Sequence, residues 1–385
     1  MKRVLPIIVV AQFFCTSLWF AGNAILPNII QTFHLQNDFL AHLTSSVQLG
    51  FITGTLIFAL LAVADRFSPT RVFFVSAIVA ALCNLGMVLP DSNAAFLLTS
   101  RFLTGFFLAG IYPVGMKITS DHYEQGLGKS LGWLVGALVL GTAFPHLLKT
   151  LTETIDWKSV VYATSFLAIL GGGGLYFFVP NGPYRKQAQQ LKLTSFLEGF
   201  RSKPFRIAAF GYFGHMWELY TFWAFVPVIL AFYQAQHPTI KLPVSLLSFC
   251  IIASGSLACI LGGWFSQRYD VKKVATIALA LSCSCCLASP LFLTGNSTVA
   301  LILFLFFWGM VVIADSPLFS TLIAQNAPVE NRGTALTIVN CLGFSLTIVS
   351  IQFLHLSMLI FDIHFVFMWL ALGPVLGLMA LLQKT

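Results

Sequence analysis

Charge is the scarcest feature of this chain. Of its 385 residues only 9% are charged, against 58% hydrophobic. A soluble domain carries about 25% charged residues, and no soluble core of this size could hide so much apolar surface. Period-2 alternation is also missing from the apolar runs, which argues against barrel strands and for helices. Metal-ligand spacing is missing as well. The eight cysteines lie in or beside apolar runs, and Cys283, Cys285 and Cys286 share one helix without a matching His or Cys set. They read as reduced packing residues. No nucleophile motif and no phosphate-cradling loop appears, so an enzyme is not expected. Nothing resembles an ATP-binding module, so any active transport must draw on an ion or solute gradient. No cofactor and no metal is expected.

What is present is a series of twelve apolar runs, each near the ~20 residues that cross a bilayer as a helix. They cover roughly 4–31, 39–62, 71–89, 94–117, 129–148, 158–179, 205–233, 243–265, 273–293, 298–323, 333–357 and 364–382, and are numbered spans 1 to 12. The N-terminal MKRVLPIIVV has the flank of a signal peptide, but its apolar run is too long for one, and an uncleaved first helix is expected. The net charge of +8 raises nucleic acid as a partner, and its distribution rejects it. With the N-terminus inside, 17 Lys and Arg fall on the cytoplasmic side, three fall outside, and Arg101 falls within a span. That is the positive-inside pattern with both termini cytoplasmic.

The chain repeats itself. DRFSPTR, Asp65 to Arg71, lies between spans 2 and 3, and SQRYDVKK, Ser266 to Lys273, lies between spans 8 and 9. Arg71 and Lys272 are 201 residues apart; Gly105 and Pro113 in span 4 recur as Gly309 and Pro317 in span 10, at an offset of 204. Gly126 and Gly136 recur as Gly333 and Gly343, at an offset of 207. Matched Gly and Pro interruptions in two halves point to a transporter's binding region. The one long polar segment divides the halves, giving an N-terminal six-helix bundle over 1–180, a cytoplasmic central loop over 181–204 and a C-terminal bundle over 205–385. Within the loop, Leu193, Phe196, Leu197 and Phe200 fall at helical spacing beside Lys192, Arg201 and Lys203, which fits either a helix on the inner membrane surface or a solvated linker.

These residues resemble the major facilitator superfamily, and the likeness covers nearly all of the chain. The family's loop signature, G-x-x-x-D-R-x-G-R-[RK], is matched at Asp65, Arg66 and Arg71; Leu61 and Ser68 replace its two glycines. In the second copy Gly262 and Lys272 match, while Ser266 replaces the acid. Arg101 and Gly105 resemble the family's R-x-x-x-G in span 4, and ENRGTAL, Glu330 to Leu336, resembles its Arg-Gly entry to span 11. GHMWELY, Gly214 to Tyr220, and ADSPLFS, Ala314 to Ser320, are similar to a bacterial branch of cyanate and other small-anion permeases. The resemblance implies an all-α integral membrane protein with twelve transmembrane helices in two pseudo-symmetric six-helix bundles. It also implies spans 1, 4, 7 and 10 around a central cavity.

Deep ionisable residues in a span are expensive and default to function. Only Glu218 and Asp315 among the acids, and Arg101 among the bases, lie deep; they sit on spans 7, 10 and 4. Desolvation favours the neutral form of a carboxyl, so Glu218 is the first candidate for proton coupling. His215, three residues earlier on the same face, is a candidate to share or relay the proton, and Asp315 is a third. Glu218 could equally be a permanently paired structural acid bonded to an Arg or Trp of a neighbouring helix. Arg101 could attract an anionic substrate or set the pKa of Glu218, or else form a structural ion pair or cap carbonyls in a kinked helix. Asp315, two residues before Pro317, also reads as the N-cap of a broken helix. Gln12, Trp19 and Asn23 on span 1, Tyr112 on span 4, and Trp217, Tyr220 and Trp223 on span 7 offer polar and aromatic walls for a substrate, or helix-packing contacts. Lys117, Asp121 and His122 read as a solvated edge.

At the expected inner face, Asp65 can meet the positive N-terminus of a neighbouring helix, and span 11 starts there at Arg332. Asp65, Arg66, Arg71, Lys272 and Arg332 are therefore candidates for a cytoplasmic gate, with Asp65 and Arg66 as a latch; the alternative is that DRFSPTR only sets topology and a tight turn. The expected function is secondary active transport of a small organic solute by alternating access in a bacterial inner membrane, proton-linked. Drug or metabolite efflux, a passive facilitator and a non-transporting sensor are the alternatives. Expected partners are a small-molecule substrate, protons or another coupling ion, and membrane lipid, and the chain is expected to act as a monomer.

Overall fold

A computed structural model describes residues 4–36, 38–90, 92–123, 127–152, 155–185, 199–327 and 332–383, with the side chains of 127–129 and 332 left undescribed. It separates into two compact units, Met1–Leu191 and Lys192–Thr385. No strand occurs among the described residues. Among the described residues eleven helices are long and apolar enough to cross a membrane, and Val4–Thr16 is a shorter apolar helix. In hydrocarbon every backbone N–H and C=O must be satisfied within the chain, and the helix does this segment by segment.

The first unit holds spans 2 (Phe39–Leu60), 3 (Pro69–Leu85), 5 (Leu127–Leu151) and 6 (Lys158–Phe178) as single helices. Span 4 bends between Ala94–Leu108 and Tyr112–His122, ahead of Pro113. Span 1 differs from the continuous helix expected over 4–31. It runs Val4–Thr16, turns, and resumes as Ala21–Ala24 and Leu26–Phe33. The break coincides with groups that compete for the backbone: the Thr16 hydroxyl donates to the Gln12 carbonyl at 2.8 Å, that of Ser17 to Phe14 at 2.6 Å, and Pro27 sits in the first turn of the last segment. Such local bonds weaken a helix interior.

The second unit holds spans 7 (Lys203–Gln236), 8 (Val244–Phe265), 9 (Val271–Leu293) and 11 (Arg332–Ile360), with span 10 broken between Thr298–Ala314 and Ser316–Asn326. Span 12 is assembled from Ile363–Val366, a 3₁₀ stretch Phe367–Ala371, and Leu372–Leu381. Span 7, with 34 residues, is about 51 Å long at 1.5 Å per residue, well beyond the ~30 Å hydrocarbon core.

Packing repeats between the units. Span 2 packs on 4, 3 on 6, and 1 on both 5 and 6; in the other unit span 8 packs on 10, 9 on 12, and 7 on both 11 and 12. Adding six to each partner of the first set gives the second. The repeat reaches single residues. A side chain at Gly105 would strike the Val47 carbonyl, and one at Gly309 the Ile251 carbonyl at 2.5 Å. Both members of each pair are 204 residues apart. Small residues here let backbones approach closely, the usual device where lipid gives helices no hydrophobic reason to associate. Outward positions stay apolar, as at Phe177, Leu291, Leu359 and Ile360, which suits lipid contact.

The signature loop forms a short turn of helix, Val63–Arg66, entered through Ala62 in the left-handed region at φ 50°. Ser68 is extended and Pro69 opens span 3. In the second copy Asp270 stands at the matching start of span 9, and its Oδ1 accepts the Lys273 N–H at 2.9 Å. The acid missing at Ser266 therefore has a counterpart four residues on, serving as a helix cap. Most of the expected surface helix in the central loop lies outside the described residues.

Candidate functional site

Span 7 carries one of the two deep acids of the second unit. Glu218 is almost fully buried. Its Oε1 accepts two short bonds, from the Ser282 hydroxyl on span 9 at 2.5 Å and from the Trp308 indole N–H on span 10 at 2.6 Å. The Cys286 thiol, one turn beyond Ser282, lies beside this carboxyl. Trp308 is set by its neighbours: its ring lies 4.5 Å from Phe222 and 5.5 Å from Phe304. One carboxyl therefore ties three helices together, and all its hydrogen-bond donors are neutral.

His215 does not pair with Glu218 as expected. Its Nδ1 lies 2.7 Å from Asp315 Oδ1, with both side chains buried. At i and i+3 the two span 7 residues share a helix face, yet the nearer carboxylate for His215 comes from the break in span 10. Asp315 does occupy the N-cap position of Ser316–Asn326, and its carbonyl accepts from Leu318 and Phe319 at 3.0 and 2.9 Å. Its side chain makes no cap bond; it is turned to His215 instead. Neither Asp315 carboxylate oxygen nor His215 Nε2 has a hydrogen bond among the described residues, so the 2.7 Å contact is one of charge and proximity. The break is approached from span 8, where the Cys259 thiol donates to the Ile313 carbonyl at 3.6 Å.

The aromatic candidates of span 7 line other contacts. Trp217 is half-buried, and its indole N–H donates to the Trp369 carbonyl at 3.4 Å. Tyr220 and Trp223 are buried and stack edge to face at 5.2 Å; Tyr220 also meets Phe344 at 5.1 Å. One turn from Glu218, the Thr221 hydroxyl bonds that of Ser350 on span 11 at 2.6 Å.

In the first unit Arg101 is fully buried. Its Nη2 donates to the carbonyls of Leu18 and Trp19 at 3.0 and 2.5 Å, and its Nη1 to Asn84 Oδ1 at 3.0 Å. It caps the broken end of the first segment of span 1, a helix other than its own. Asn84 passes the link on, its amide donating to Thr164 and Ser165 on span 6 at 3.2 and 3.0 Å. Spans 1, 3, 4 and 6 are joined through these side chains. No carboxylate pairs with Arg101 among the described residues.

Asn23 donates to Thr44 at 2.8 Å, and Trp19 packs 4.8 Å from Phe51. Thr44, Gln48 and Phe51 follow one face of span 2 at helical spacing. Gln12 and Gln48 are fully buried carboxamides with neither oxygen nor nitrogen bonded among the described residues. Tyr112 is half-buried at the bend of span 4.

At the signature loop, Asp65 Oδ1 lies 2.8 Å from Lys117 Nζ, and Lys117 is 3.7 Å from Asp121. Arg185 Nη2 donates to the Asp65 and Phe67 carbonyls at 2.8 Å each. Asp121 and His122 are buried, which corrects their assignment to a solvated edge: the end of span 4 is folded under the loop and held by it. Arg66 and Arg71 are exposed and Lys272 half-exposed, with Lys272 Nζ 3.4 Å from the Gln383 carbonyl. The side chain of Arg332 lies outside the described residues, as does Gly126.

Sequence reasoning missed Ser282, Trp308, Cys286, Asn84 and Gln48. Asn84 and Gln48 had a signal, an amide deep in an apolar run. A lone serine in a Leu- and Cys-rich helix had none.

Two six-helix units with matched breaks in spans 4 and 10, and polar centres buried within each, define a multi-pass membrane transporter. The family model of the Major Facilitator Superfamily matches residues 8–351, and the chain belongs to that family. It is 27% identical over 170 residues to a "Probable inorganic phosphate transporter 1-4" of Oryza sativa subsp. indica, covering 40% of this chain and 31% of that protein. It is 29% identical over 146 residues to "Probable inorganic phosphate transporter 1-5" of Oryza sativa subsp. japonica, covering 34% of this chain and 26% of that protein. The chain thus matches under a third of the length of these relatives. Its fold is similar to the crystal structure of the human organic anion transporter MFSD10 (TETRAN), with a TM-score of 0.77 and 14% identity over 99% of both chains.

Proposed function

We propose that this chain is a proton-coupled secondary transporter of a small organic solute, working by alternating access in a bacterial inner membrane with both termini cytoplasmic. One observation carries the coupling: Glu218 is buried with two neutral donors and no Lys or Arg partner among the described residues. An unpaired charge is costly in hydrocarbon. With no base to balance it, taking up a proton is the way this carboxyl becomes neutral, and releasing one restores its charge. The buried His215–Asp315 pair adds a second place on the same unit where a proton can rest.

For the cargo, an anion is favoured. Arg101 brings a positive charge into the first unit with only carbonyls and an amide around it. Inorganic phosphate and organic anions appear in the names of the similar proteins. Asp65 is proposed to belong to the gate at the inner face through its pair with Lys117, with Arg66, Arg71, Lys272 and Arg332 as further gate residues.

The test loads proteoliposomes containing the full chain with a mixture of metabolites, imposes a pH gradient, and identifies which solutes move. Accumulation of one class of small anion, dependent on the gradient, is expected. No movement of any solute by folded protein would overturn the proposal.

A further inference from the structure

The three groups around Glu218 are not chemically equivalent. A hydroxyl can donate or accept, whereas an indole N–H can only donate. Ser282 and Trp308 both bond the same oxygen, Oε1. The Ser282 contact of 2.5 Å lies in the range of a charge-assisted O–H···O⁻ bond. A proton arriving on Oε1 makes that oxygen a donor. The Ser282 hydroxyl can then turn and accept, keeping the link. Trp308 cannot turn acceptor; its N–H is left donating to a neutral hydroxyl oxygen, a far weaker acceptor than the carboxylate.

We propose that the transported proton binds Glu218 Oε1 and is shared with Ser282, and that its arrival weakens the bond from Trp308, loosening span 10 from span 7 while span 7 stays tied to span 9. This rests on Glu218 as the proton carrier. The balance is simple: one proton joins Oε1, the serine proton rotates away without leaving its oxygen, and the indole keeps its own. Ser282 and Trp308 are thus positioning residues with different duties, one bonded strongly in both states and one strongly only in the charged state. Span 10 is where such a release has an effect, since the same helix is broken seven residues on at Asp315.

Other titratable groups bear on Glu218 from the elements around it. Cys283, Cys285 and Cys286 face it from span 9, and Asp315 from span 10. On its own helix His215 is bound to Asp315, and Cys259 of span 8 faces Asp315. None of these is changed by a substitution at Ser282 or Trp308, so the two positions can be compared directly.

The experiment follows the carbonyl band of the protonated carboxyl by infrared difference spectroscopy as pH is varied, in the full chain reconstituted in liposomes without substrate. E218Q identifies the Glu218 band by its loss. W308F keeps an aromatic ring beside Phe222 and Phe304 and removes the donor; it is expected to move the midpoint to higher pH by about one unit or more, because it weakens chiefly the charged state. S282A, which weakens both states, is expected to shift it by roughly half as much, and S282T to restore the wild-type midpoint within about 0.3 unit. A shift in S282A equal to or larger than that in W308F, or an unmoved midpoint in W308F, overturns the inference and leaves the carrier assignment standing. A titrating band that survives in E218Q overturns the carrier assignment itself.

Discussion

Replacing Arg101 with Met tests whether the broken first span depends on a side chain three helices away in sequence. The guanidinium makes three hydrogen bonds, to the carbonyls of Leu18 and Trp19 and to Asn84. Bonds involving a charged group contribute about 1.5–3 kcal/mol each, and a buried carbonyl left unpaired costs about 1–3 kcal/mol. Against this, Met removes a buried charge that has no carboxylate partner, which returns part of the loss. A net destabilisation of about 3 kcal/mol is expected. For a unit of nearly two hundred residues that corresponds to a fall in Tm of roughly 6–12 °C. The buried cysteines provide the assay: Cys15 and Cys259 are inaccessible in the folded chain, so a thiol-reactive fluorophore in detergent reports unfolding as temperature rises. Arg101→Lys should recover only part of the loss, since an ammonium cannot span two carbonyls and an amide with the planar fork of arginine. A Tm within about 2 °C of wild type for Arg101→Met would refute the capping account and leave Arg101 free to be explained by substrate alone.

Three further outcomes follow from the geometry. Asp65→Asn should slow transport without removing the protein from the membrane, and Lys117→Met should do the same; because the pair is about one quarter exposed on each side, the stability cost should stay below about 1 kcal/mol. Unchanged initial rates in both variants would sink the gate assignment. Gly105→Val and Gly309→Val should each reduce folded protein in the membrane severalfold, since the added carbon meets a backbone carbonyl of span 2 or span 8 that has no room to move; equal yields by fluorescence-detected size exclusion would contradict the close-packing account. Wild-type proteoliposomes should accumulate substrate under a pH gradient and E218Q should not, while solute exchange without a gradient persists in both; accumulation intact in E218Q points to a passive or differently coupled carrier.

The larger organisation was legible because it is written in long runs. Twelve apolar segments, the offset of 204 between Gly105 and Gly309, and the loop echo all rest on patterns that survive single substitutions. The break in span 10 was visible through Asp315 and Pro317. The break in span 1 was hidden, since its cause is spread over Thr16, Ser17 and a guanidinium from span 4. At the site, charge marked three residues that the fold does bury, Glu218, Asp315 and Arg101, because a deep charge in hydrocarbon is rare. Their partners were not legible. His215 sits one helical turn from Glu218 in sequence and pairs instead with an acid exactly one hundred positions later, a choice made by how spans 7 and 10 pack. Ser282 and Trp308 carry no charge and stand out in no pattern. Asp121 and His122 looked like a wet helix end until the fold placed Lys117 and Arg185 over them.

The most direct measurement of the central claim follows protons themselves. Liposomes containing the full chain and an internal pH-sensitive dye are given the substrate identified by the loading experiment, with membrane potential clamped. The account predicts that substrate addition drives a proton flux with wild type, and that E218Q moves substrate by exchange with no proton flux. A proton flux of wild-type size in E218Q would contradict it.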